Sequence, residues 1–286
     1  MTYETPSLEI LRDIYCHLKR NDNYNICYRT DREIWQLSIE KGVIKEHKRI
    51  EQGKESIGAI ATDTHGNLFF SDGTLLKQVG KDEPIAETDE LITTIALGAE
   101  GEIFYNEGVV LRQVGKQDPI GTADATILAI ATNEKMVVFG GDDFQLREAY
   151  SNNIIGGAEG PINVIVPEIS GTFIYGSNDK CLRRTGSKSP IAKAGGAILS
   201  VVVSESGRIY YTGLDGVISK VVKYQLIGEP VYTTEGWIYA MTVTPDEKII
   251  FGRSEPQKSL GILNKQSGMV DISVNVQDSI LSIILL

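Results

Sequence analysis

The chain has 286 residues, 42% hydrophobic and 23% charged, a globular composition with enough apolar side chains for a sizeable core and unlike that of disordered or fibrous chains. Its 28 basic and 38 acidic residues leave a net charge of −10, which opposes non-specific binding to nucleic-acid phosphates or to an anionic membrane surface. Three cysteines without paired spacing (Cys16, Cys27, Cys181) make neither a disulfide framework nor a zinc site, and no apolar run approaches the ~18 residues of a membrane span.

The N-terminus lacks a basic segment followed by an apolar one, so a cytoplasmic protein is expected, with no nucleic-acid partner and no membrane insertion. Thr5 followed by Pro6 is a helix start, Thr as cap and Pro at the first helical position. Leu8, Leu11, Ile14, Tyr15 and Leu18 then fall on one face, which predicts an amphipathic helix over residues 6–20. Leu8, Leu11, Ile14 and Leu18 are candidate contacts, either docked on the rest of the chain or offered to a partner. Residues 24–30, 33–39 and 43–50 read as three strands.

From Ile57 onward the chain repeats. An Ile-x-x-(Ile/Val/Met) pair recurs at Ile57, Ile92, Ile127, Ile162, Ile198, Ile238 and Ile280, at intervals of 35, 35, 35, 36, 40 and 42 residues. A turn residue and a second apolar run follow, as in Gly66-Asn67-Leu68-Phe69-Phe70 and Gly207-Arg208-Ile209-Tyr210-Tyr211. A third run comes next, and a short fourth begins at Pro84, Pro119, Pro190 or Pro230. Proline donates no ladder hydrogen bond, so the fourth run is predicted to be the outer edge of a four-stranded unit. Ile, Val, Phe, Tyr and Thr runs punctuated by Gly, Asn, Asp and Pro are strands and turns, which chooses a propeller over a helical solenoid. The paired isoleucines, read as regular strand, would face two neighbouring blades.

The chain ends just after the seventh inner strand at residues 280–286, which lacks three partners. Residues 21–56 supply them. The expected fold is therefore an all-β, seven-bladed propeller over residues 21–286, closed by one C-terminal and three N-terminal strands. Its blades are expected at 57–91, 92–126, 127–161, 162–197, 198–237, 238–279, and 280–286 with 21–56.

The phasing of residues 57–70 resembles the WD40 repeat and the related NHL- and YWTD-type propeller repeats. Asp31-Arg32-Glu33-Ile34-Trp35 and Leu214-Asp215-Gly216-Val217-Ile218 are similar to the WD40 segment with an Asp in the turn before the third strand. No unit has the Gly-His start or the Trp-Asp end, so the His-Asp-Ser-Trp network of that family does not carry over. The resemblance implies a propeller that serves as a protein-interaction platform.

No catalytic residue, metal ligand or cofactor site is expected. His17, His47 and His65 fall on elements that do not converge, and the positions between the paired apolar residues, from Gly58-Ala59 to Leu281-Ser282, hold no carboxylate for a channel cation. Ser200 and Ser282 have no visible base. Acids stand out instead: each turn between second and third strands carries one (Asp31, Asp72, Glu107, Asp142 or Asp143, Asp179, Asp215, Glu255), and the connections between blades emerge at the same end. These acids are expected to form a rim for a Lys/Arg-rich protein segment, while lysines populate the opposite end. The alternative is a small-ligand- or glycan-binding propeller, or a lactonase-like hydrolase, using the central funnel.

Overall fold

The computed structural model describes residues 23–40, 43–254, 256, 258–264 and 269–286. These residues form seven antiparallel four-stranded sheets. Six follow the chain from inner to outer strand, beginning at Ile60–Thr62, Ile95–Leu97, Ile127–Thr132, Ile162–Pro167, Ile198–Val203 and Ile238–Val243, and are numbered blades 1 to 6. Blade 7 pairs Ser282–Leu285 with Asn23–Arg29, Glu33–Glu40 and Val43–Gln52 in that order. Each inner strand touches the next, and the last touches the first, so the ring is closed. The expected helix with Leu8, Leu11, Ile14 and Leu18 lies outside the described residues.

Alternation along the second strands explains why blades stack. Phe69 packs toward blade 2 and Phe70 toward blade 7; Tyr210 packs toward blade 6 and Tyr211 toward blade 4. Successive strand residues point to opposite faces, so a doublet of large apolar side chains serves two interfaces. The result is seven apolar clusters, one between each pair of neighbouring blades.

The paired isoleucines behave differently from the regular-strand expectation. Ile127 and Ile130 lie in one cluster with Phe104 and Leu111 of blade 2, while Ala129 and Ala131 face blade 4. A β-bulge between Ile127 and Ala129 is the cause, and the same irregularity recurs between Ile162 and Val164, Ile198 and Ser200, and Ile238 and Ala240. The extra residue shifts the alternation by one and returns both members of the pair to the same face.

The outer strands of blades 1, 2 and 4 have two residues each, and Pro84, Pro119 and Pro190 precede them by two residues. Pro230 lies within its outer strand, where it faces Ser219. At closure Ile26 sits opposite Leu285 and Arg29 opposite Ser282, and Tyr24 donates to Asp246 Oδ2 of blade 6 at 2.6 Å.

Candidate functional site

In a four-stranded meander the turns between second and third strands share one end of the ring with the connectors between blades. The carboxylates expected there repeat one arrangement in blades 1 to 5. Asp72 accepts from the Glu55 N–H at 2.7 Å and from Lys77 Nζ at 2.7 Å. Glu107 accepts from the Asp89 N–H at 3.1 Å and from Arg112. Asp143 accepts from the Asp124 N–H at 3.2 Å and from Arg147, whose second nitrogen reaches Asp124 Oδ2 at 2.7 Å. Asp179 accepts from the Glu159 N–H at 2.8 Å, from Arg183 at 2.7 Å, and from Ser177. Asp215 accepts from the Gly195 N–H at 2.8 Å and the Val217 N–H at 3.2 Å, with Ser219 where the other blades have a cation.

Each clasp ties a turn to the incoming connector and to the third strand of its own blade. Desolvation raises Asp72 and Asp179, but it is outweighed by their cationic partners and backbone N–H donors, which leave both carboxyls below the usual range. The Asp89 N–H and then Arg112 lower Glu107 in the same sense. The sequence signal for the clasp is a basic residue four or five positions after the acid: Lys77, Arg112, Arg147, Arg183. Sequence reasoning noted the acids alone.

Asp72, Glu107 and Asp179 are thus turned inward, with side chains 2%, 13% and 9% exposed. Asp31, which accepts from Ser56 Oγ at 2.6 Å, and Asp142 face solvent, and Asp215 is half-buried. Glu255 lies outside the described residues. The connectors expose Glu55, Asp89, Glu90, Asp124, Glu159, Glu235 and Asp278 at the same end. Among these acids stand Leu91, Val109, Phe144, Leu214 and Trp237, all exposed. Lys54 and Lys180 are exposed there too. At the opposite end Lys81, Lys116, Lys188 and Lys223 are exposed beside Asp82, Glu83 and Asp118, so that face is mixed; Lys41 and Lys265 lie outside the described residues.

No protein-family model matches the sequence, and no curated protein does. Among solved structures, the chain is similar to the WD40 β-propeller domain of Doa1 at 13% identity, with a TM-score of 0.72 over 88% of this chain and 96% of that one. A chain in a crystal structure of the Mitotic Checkpoint Complex is similar at 14% identity, with a TM-score of 0.68 over 79% of each. The fold is that of a WD40 propeller.

The channel of this WD40-like propeller begins at Gly58, Thr93, Leu128, Asn163, Leu199, Tyr239 and Leu281. Asn106 accepts from the Thr93 and Thr94 N–H groups at 2.9 and 3.0 Å, and Asn163 donates to the Ile198 carbonyl at 2.9 Å. Ser200 Oγ accepts from the Met241 N–H at 3.0 Å, a bond between neighbouring inner strands. Among the described residues no three His, Cys, Asp or Glu side chains gather to hold a metal ion. At the far mouth a cavity of about 560 Å³ lies over the ends of the first four inner strands, lined by Thr62, Thr132, Lys135 and Ile169 among others. His65 is exposed in a turn, and His17 lies outside the described residues.

Proposed function

We propose that this propeller is a non-enzymatic interaction scaffold that binds a protein partner across its connector-side rim. The observation that carries the reading is the mixture at that rim: exposed carboxylates on the connectors, interspersed with Leu91, Val109, Phe144, Leu214 and Trp237. Large apolar side chains exposed on the same end as the carboxylates, at blades 2, 3, 5 and 6, are what a partner spanning that rim would cover. A matching segment carries Lys or Arg to meet the carboxylates and apolar residues to cover the ring of exposed side chains. WD40 propellers typically act as protein-interaction scaffolds, and a chain of the Mitotic Checkpoint Complex is among the structural neighbours; both support this class.

Of the acids first expected to form the rim, Asp31 and Asp142 contribute directly. Asp72, Glu107, Asp179 and Asp215 contribute by holding the connectors in place. Nuclear magnetic resonance mapping with a synthetic peptide of alternating Lys/Arg and Leu tests the assignment. Shifts are expected at Leu91, Phe144, Leu214 and Trp237; shifts confined to the opposite end or to the channel contradict it.

A further inference from the structure

Blades 6 and 7 part near their connector-side corner, leaving a cavity of about 420 Å³. One wall is aromatic: the Trp35 and His47 rings stand 5.0 Å apart, centroid to centroid, at 38° to each other. Both are held by other side chains. Trp35 Nε1 donates to Glu33 Oε2 at 3.1 Å, and the Tyr28 hydroxyl lies 2.7 Å from His47 Nε2. Burial raises the Tyr28 phenol and lowers the His47 imidazole, so at neutral pH the phenol is the donor and the imidazole is uncharged. Nδ1 then carries the ring proton, without a protein partner among the described residues.

The polar groups around this wall are unused. Thr30 lines the cavity, is only 3% exposed, and its Oγ1 has no hydrogen-bond partner. A buried hydroxyl without a partner is costly, and a ligand that opens the wall enough to reach it would satisfy it. Blade 6 contributes Asn275, Gln277 and Asp278, whose side chains also have no protein partner among the described residues. Arg49 and Glu33 in the lining pair with each other, Nη1 to Oε1 at 2.6 Å, which leaves the Asp278 carboxylate to accept from ligand hydroxyls.

An aromatic wall, unpaired donors and acceptors on the other sides, and a cation already paired with Glu33 together fit a hydroxyl-rich ring. We propose that this cleft binds a neutral carbohydrate unit, its apolar ring face on Trp35 and His47 and its hydroxyls on Thr30 Oγ1, His47 Nδ1 and the side chains of Asn275, Gln277 and Asp278. The site is separate from the channel and does not depend on the protein-binding reading.

The chain has two tryptophans, Trp35 and Trp237, so a Trp237→Phe background reports on Trp35 alone. The probes are glucose, galactose, N-acetylglucosamine, lactose and chitobiose. At least one is expected to change Trp35 emission saturably. Thr30→Val, which keeps the side-chain shape, should weaken that sugar about tenfold without lowering the unfolding temperature, and Gln277→Ala should weaken it similarly with the unfolding temperature unchanged. Three results overturn the proposal: no saturable response to any of the five sugars, unchanged affinity in both variants, or complete displacement of the sugar response by a Lys/Arg-rich peptide. The last would assign the cleft to the protein partner instead.

Discussion

Asp179 shows what a single carboxylate does in this ring. It accepts from the Glu159 N–H of the connector and from the Cys181 N–H and Arg183 of the third strand at once, so one side chain ties its turn to two other backbone segments. Asp179→Asn keeps the shape but removes the charge, and should cost about 1–3 kcal/mol at neutral pH, measured by urea unfolding. A carboxyl held low in the folded state adds stability that is complete above its unfolded value and disappears as pH falls through the lower folded value. The deficit of the variant should therefore shrink below about pH 4, the ordinary carboxylate range. Equal deficits at neutral and acid pH would show that Asp179 acts through packing alone. Gly213 makes a second residue-scale case: a Cβ there would sit 1.9 Å from the Ala197 carbonyl, so Gly213→Ala should cost on the order of 3 kcal/mol and lower the thermal midpoint. The acids were legible in the sequence as turn residues. Their inward orientation was not, because it depends on a cation four or five positions later and on a connector N–H from an adjacent segment.

Among the elements, the inner strand Ser282–Leu285 has the largest consequence for its size. Ile280 and Ile283 are buried, while Leu281, Ile284 and Leu285 are only partly covered. Two fully buried aliphatics stabilise by roughly 3–6 kcal/mol, within reach of the ~5–15 kcal/mol that holds a typical domain. Removing residues 280–286 also strips the partner strand from residues 26–29, leaving an open edge. The truncated protein should unfold at lower urea or associate, and a monomer with an unchanged midpoint would contradict closure by this strand. The four-strand period and the missing partners of the last repeat made this closure readable. The bulges were not readable: Ile127 and Ile130 repeat at helix-like spacing, and only the pairing of Ala129 with Gly140 shows that an extra residue brings them to one face.

For the whole molecule, a net charge of −10 is distributed with purpose. Inward carboxylates, already paired with Lys77, Arg112, Arg147 and Arg183, contribute to holding the ring. On the proposed reading, the outward carboxylates on the connectors supply a field that would draw a basic segment toward the apolar side chains between them. Exposed charges are screened within ~8 Å at physiological ionic strength, so the two sets respond differently to salt. Composition and repeat phasing placed the acids at one end; the division into two sets required the fold.

The direct test is the association rate of a fluorescent Lys/Arg- and Leu-rich peptide, measured by stopped flow at low and high salt. It compares the native chain with a variant carrying Glu55→Gln, Glu90→Gln, Glu159→Gln and Glu235→Gln. The native rate should fall with salt, and the variant should be slower at low salt and less salt-dependent than the native chain, with its urea midpoint unchanged. A native rate indifferent to salt, or a variant that associates as fast as the native chain, contradicts recruitment by the outward carboxylates.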